Sequence, residues 1–117
     1  MTTTPKRRPP KVLSAAMLDE VAERFKALAE PNRLLLLQAL QDGELAVGDI
    51  VERTGLSLAN ASKQLQQLHA AGFIQRRKEG LFVYYRLADF DVMTLCDLMC
   101  NRVTRDVKAQ ERALRAG

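Results

Sequence analysis

Two cysteines stand in the run Leu95-Cys96-Asp97-Leu98-Met99-Cys100. At i and i+4 they share one face of a helix, and two thiols so placed suit a soft metal ion, a metalloid or a thiophilic oxidant. A disulfide inside one helical turn is strained because both Cβ vectors point the same way. A bridge to a second copy, a persulfide or shared soft-metal ligation asks for less distortion. Arg102 and Arg105 are near enough in sequence to favour a thiolate, and Asp97 opposes them. The plainer alternative is that both thiols are small buried apolar groups. The remaining nucleophile or ligand candidate is the single histidine, His69, read as a surface or capping residue. One histidine and two helix-borne thiols make no nucleophile–base pair, and no glycine-rich phosphate cradle occurs, so no enzyme is expected.

A second chemistry resides in amides and cations. The stretch from Leu58 to about Ala71 turns Leu58, Ala61, Leu65 and Leu68 inward at helical spacing. It leaves Asn60, Ser62, Lys63, Gln64, Gln66 and Gln67 outward, a polar face with no acid. Amides can hydrogen-bond base edges, while Ser and Lys hold base edges or phosphate. A few residues on come Arg76, Arg77 and Lys78, which would attract phosphate whatever the base sequence. Eighteen Lys+Arg against fourteen Asp+Glu give a net charge of +4, which favours a polyanion where the excess is clustered.

The elements that must position these groups follow from pattern. The 117 residues make one small domain, with a basic, proline-rich arm over residues 1–13 and a folded region over 14–113. Ser14 opens a helix whose stripe is Leu18, Val21, Phe25 and Leu28. Pro31 starts a second helix to about Gln41, apolar nearly all round and so central. A short segment at 44–47 leads into a helix of about Val47–Arg53. Thr54-Gly55 turns, and Ser57 caps the helix bearing the amides. Two β-prone runs about Glu79-Gly80 predict a hairpin with the three cations just before its tip. Asp89 or Asp91 caps a last helix, about Phe90 to Ala113, that frays beyond Val103. Val92, Leu95, Cys96, Met99, Val103 and Val107 give it a narrow apolar stripe of the kind that packs on another helix. The fold class is therefore mainly α with a small β-hairpin. Helix–turn–helix followed by a basic hairpin has the lengths of a winged helix-turn-helix, whose second helix enters the major groove of double-stranded DNA. The candidate DNA contacts are Ser57, Ala59, Asn60, Ser62, Lys63, Gln64, Gln67, Arg76, Arg77 and Lys78. The opening residues lack the apolar run of an export signal, and no segment approaches the roughly 20 apolar residues of a membrane span, so a cytoplasmic protein with reduced thiols is expected.

The run Leu28-Ala29-Glu30-Pro31-Asn32-Arg33-Leu34, then Gly43-Glu44-Leu45, Leu56-Ser57, Ser62-Lys63-Gln64-Leu65, Ala71-Gly72 and Arg77–Leu87 with Tyr84-Tyr85 resembles the ArsR/SmtB family of winged helix-turn-helix repressors, over about residues 20 to 104. The resemblance implies a homodimer joined through its first and last helices, here by Leu18, Val21, Val92, Leu95, Met99 and Val103. It also implies an inverted-repeat operator and release by an effector. The metalloid- and cadmium-sensing members carry Glu-Leu-Cys-Val-Cys-Asp where this chain has Glu44-Leu45-Ala46-Val47-Gly48-Asp49, so that site is absent. The zinc-sensing members place histidines in the last helix, and none follows Asp89 and Asp91 here. Where the family often has His in the recognition helix, this chain has Gln64. The effector reading that remains is a dithiol sensor at Cys96 and Cys100 for an oxidant or reactive sulfur. Its alternatives are a soft metal or metalloid on the same thiols, a constitutive repressor with structural cysteines, and a dimerisation module without DNA binding.

Overall fold

The computed structural model describes residues 12–116, so the basic arm expected over 1–13 lies almost wholly outside the described residues. Helix α1 spans Ala15–Leu28 and is capped by Ser14, whose Oγ accepts from the Met17 amide at 3.2 Å. Helix α2, Pro31–Leu40, begins with proline at its first position, where the missing N–H costs nothing. The Glu30 carboxylate caps it by accepting from the Arg33 amide at 3.1 Å. Leu36, Leu37 and Leu40 are buried, as a central helix requires, while Leu34 stays exposed. With Ile50, Leu65, Leu68 and Ile74 they form the dry centre of the molecule, each side chain contributing about 2 kcal/mol on burial.

The short segment leading into α3 is a strand. Strand β1, Leu45–Ala46, pairs antiparallel with β3, Phe82–Leu87, which also pairs with β2, Ile74–Glu79, in the order β1-β3-β2. Leu45 lies opposite Tyr85 and Ala46 opposite Tyr84. Two residues are too short to announce a strand by alternation; pairing with the free edge of β3 makes them one. Helix α3, Val47–Thr54, ends at Gly55, whose φ of 72° is the left-handed conformation that closes a helix most readily with glycine. Helix α4, Leu58–Ala70, follows after three residues, with the Ser57 Oγ accepting from the Asn60 amide at 3.1 Å. The tip of the β2–β3 hairpin is Gly80-Leu81, one residue beyond the expected Glu-Gly turn, with Gly80 at φ 59°.

The last helix, α5, runs Asp91–Ala116, its first turn held by the Asp89 carboxylate accepting from the Asp91 amide at 2.9 Å. It does not fray after Val103: it remains helical to Ala116, with an Arg102–Asp106 ion pair at i, i+4 beside that point. Val92 and Met93 pack in the core. Everything in α5 beyond Cys96 is exposed. No helix among the described residues is long and apolar enough to cross a membrane.

Candidate nucleic-acid interface and thiol groove

The buried face of α4 is Ala61, Leu65 and Leu68, which pins the helix to α2 and α3. Ala59, Lys63, Gln66 and Gln67 are exposed, so the outward face is narrower than the sequence pattern suggests. Asn60, Ser62 and Gln64 are half-buried on its flanks. Gln64, expected among the outward amides, turns toward α2. Its Oε1 accepts from Arg33 Nη1 at 2.9 Å, and its Nε2 donates to Asn60 Oδ1 at 3.2 Å. Ser57 spends its hydroxyl as the helix cap. Gln66, which shares the exposed face with Lys63, belongs with the candidate contacts although its spacing alone does not single it out. His69 lies exposed in the last turn of α4.

The three cations of the hairpin divide between two faces of the sheet, because neighbouring residues of a strand point opposite ways. Arg76 and Lys78, opposite Tyr85 and Val83, are exposed. Arg77, opposite Tyr84, is held. Its Nη2 donates to Glu44 Oε1 at 2.7 Å, its Nη1 pairs with Glu79, and its guanidinium carbon lies 4.5 Å from the centre of the Tyr84 ring. The bond to Glu44, then that to Glu79, raises the Arg77 pKa, and the Arg77 bond holds the Glu44 carboxyl below the usual carboxylate range. Arg77 therefore staples the wing to the strand β1 corner, while Arg76 and Lys78 have no ion-pair partner among the described residues and are the free cations of β2 in that sense. The wing tip adds exposed Leu81 and Phe82, with the Phe82 and Tyr84 rings 6.4 Å apart.

The thiols lie elsewhere, in an apolar groove of about 800 Å³ between the α1–α2 corner and α5. Phe25, Leu34, Leu35, Leu95 and Met99 line it together with Cys96 and Cys100. Cys96 is half-buried against the core and Cys100 is exposed. Burial pushes the Cys96 thiol up, and Cys100 and Asp97 push the same way. Arg102, expected to favour the thiolate, borders the groove and pairs through Nε with Asp106 Oδ2 at 3.3 Å. Among the described residues, no three His, Cys, Asp or Glu side chains cluster as metal ligands would. Of the expected interface residues, Leu18, Leu95, Met99 and Val103 are exposed and Val21 is half-buried. Val92, 4% exposed, packs inside its own chain, where helix spacing alone could not tell an inward stripe from an intersubunit one.

Known proteins share this arrangement. The family model described as bacterial regulatory protein, arsR family, matches residues 30–76, from the α2 cap into β2. The chain is 46% identical over 85 residues to the HTH-type transcriptional regulator Rv0324 of Mycobacterium tuberculosis, covering 73% of this chain and 38% of that protein. It is 41% identical over 86 residues to a transcriptional repressor SmtB homolog of Synechocystis, covering 74% of this chain and 65% of that one. The chain thus spans less than two thirds of the length of either relative. The solution structure of the homodimeric winged helix-turn-helix DNA-binding domain Mb0332 of Mycobacterium bovis, described as a possible ArsR-family regulator, superposes with a TM-score of 0.71. It is 41% identical, covering 80% of this chain and 87% of that one. These relatives are transcriptional regulators, not enzymes. With the fold, the helix pair and the wing in place, this chain belongs to the ArsR family of winged helix-turn-helix regulators.

Proposed function

We propose that the chain is a homodimeric repressor that binds an inverted-repeat operator, with α4 in the major groove and β2–β3 along the backbone. The observation that carries this reading is the acid-free exposed face of α4 beside the free cations Arg76 and Lys78. The face offers amides and Lys63 to base edges and phosphates, and the wing supplies attraction that does not depend on sequence. Dimerisation through α1 and α5 covers Leu18, Leu95, Met99 and Val103, which otherwise leave an apolar strip in water.

Release of DNA follows thiol chemistry in the groove. Exposed Cys100 meets the oxidant first, and half-buried Cys96, or a thiol of a second copy, resolves it. With a peroxide, the Cys100 sulfur bonds one oxygen as the O–O bond breaks, giving a sulfenic acid and one water. The second thiol then displaces that oxygen as another water and an S–S bond forms, so two thiols lose two electrons to the peroxide. A bond between thiols one turn apart strains α5, and a bridge between copies re-spaces them. Either moves the two α4 helices off the roughly 34 Å separation of operator half-sites.

The test is an operator titration with reduced protein, repeated with peroxide, polysulfide, arsenite and soft metals. Reduced protein should bind and thiol-reactive agents should release it, whereas Cys96→Ser/Cys100→Ser should bind and no longer respond. A double variant that still releases normally would make the cysteines packing residues.

A further inference from the structure

Arg33 sits at the start of α2, in neither the reading helix nor the wing, yet its guanidinium joins three helices. Its Nε donates to the Ala27 carbonyl at 2.6 Å and its Nη2 to the Lys26 carbonyl at 3.4 Å, both in the last turn of α1. Carbonyls there lack the i+4 amide of a helix interior and carry the negative end of the helix dipole, so a cation suits them, although the Lys26 oxygen also accepts from the Ala29 amide at 3.1 Å. The third contact is the 2.9 Å bond from Nη1 to Gln64 Oε1 in α4. A guanidinium offers donors only. The oxygen of the Gln64 amide must therefore face Arg33, and its NH2 must face away. That NH2 meets Asn60 one turn earlier, Nε2 to Oδ1 at 3.2 Å. The same logic passes along: the Asn60 oxygen is oriented toward Gln64, and its Nδ2–H2 is the unengaged donor that faces away from it.

We infer that Arg33 is a positioning residue for operator reading, fixing the orientation of the Gln64–Asn60 amide pair so that Asn60 approaches the bases as a donor. A free asparagine pairs bidentately with adenine by donating to N7 and accepting from N6. An asparagine whose oxygen already accepts from Gln64 keeps one lone pair, so its accepting half is weakened and no longer free to turn. It favours acceptors instead, O6 and N7 of guanine or O4 of thymine. Because Arg33 is anchored on the end of α1, the orientation is also tied to a helix that borders the thiol groove. This rests on the reading of α4 as the base-contacting helix.

The experiment selects operators from a randomised duplex library with the full-length reduced protein, then measures affinity for the selected and a scrambled duplex. The variants are Arg33→Ala, Arg33→Lys, Gln64→Glu and Asn60→Ala. Asn60→Ala identifies the base position that Asn60 reads. At that position the parent protein should prefer guanine or thymine, and Arg33→Ala should lose the preference about tenfold and admit adenine, with scrambled-duplex affinity and dimerisation kept. Arg33→Lys should lose part of it, since an ammonium cannot hold the same fork. Gln64→Glu keeps the acceptor for Arg33 but turns Asn60 round, because a carboxylate must accept from Nδ2. Preference should then move toward adenine or cytosine, which present donors. A merely structural arginine would alter stability without moving the preference at one base pair. If Asn60→Ala shifts a base preference while Arg33→Ala and Gln64→Glu leave it unchanged, the inference is overturned and α4 still reads. If Asn60→Ala changes no preference, both the inference and this part of the α4 reading fall.

Discussion

Arg77 shows how much the partners of one side chain decide. In sequence it is one of three equivalent cations; in the fold Glu44, Glu79 and the Tyr84 ring occupy it. Arg76→Ala with Lys78→Ala should therefore weaken binding to every duplex and flatten the plot of log affinity against log salt by roughly one for each phosphate no longer neutralised. Arg77→Ala should leave that slope nearly intact and instead raise hydrogen exchange in β2 and β3. The wing staple should also respond to pH. Glu44 is depressed in the folded chain, so its contribution is present above the ordinary carboxylate range and lost as pH falls through its lowered value. Exchange protection of the wing should drop in that acid window in the parent protein and not in Glu44→Gln. At Cys96 the shift is upward, so its thiolate is scarcer at neutral pH than that of an ordinary cysteine. Its alkylation rate in Cys100→Ser, followed by mass spectrometry against pH, should rise only above the usual thiol range.

The helix–turn–helix depends on two local devices, Gly55 at φ 72° and the Ser57 cap. Gly55→Ala puts a Cβ into a left-handed position and should cost about 1 kcal/mol. Ser57→Ala removes the acceptor for the Asn60 amide and should cost a similar amount, roughly 1 kcal/mol. Both should appear as a lower urea midpoint with an unchanged m-value. Both devices are local in sequence, and so legible in it. Strand β1 is not, because its pairing partner β3 lies far along the chain and only β3 makes those residues a strand. The outer half of α5 departs from its sequence pattern for a different reason. Its polarity reads as fraying, but Arg, Gln, Ala and Glu are good helix formers and an ion pair supports the start of that run.

Across the whole molecule, the apolar side chains left in water mark the face that the proposed dimer covers. Leu18, Phe25, Met99 and Val103 are each half or more exposed and lie along α1 and α5. Leu95→Asp places a charge within that strip and should convert the dimer to monomer in sedimentation velocity. Operator affinity should fall with it, since one half-site offers too little contact and no two-fold match. A Leu95→Asp dimer that binds its operator would move the interface elsewhere.

Periodicity, caps and turn residues by themselves determined the order of helices, the hairpin, the acid-free stretch of α4 and the pairing of thiols on one helix face. These are properties of neighbours along the chain, and the 3.6- and 2-residue repeats record them directly. The tertiary structure decided which polar groups are free. Gln64 and Arg77 read as exposed contacts until Arg33 and Glu44, each more than 30 residues distant, engage them. Val92 and Met99 lie on one helical stripe, yet packing buries the first in its own chain and leaves the second to water. Partnering and burial depend on which distant surfaces meet, and no repeat within one element encodes that.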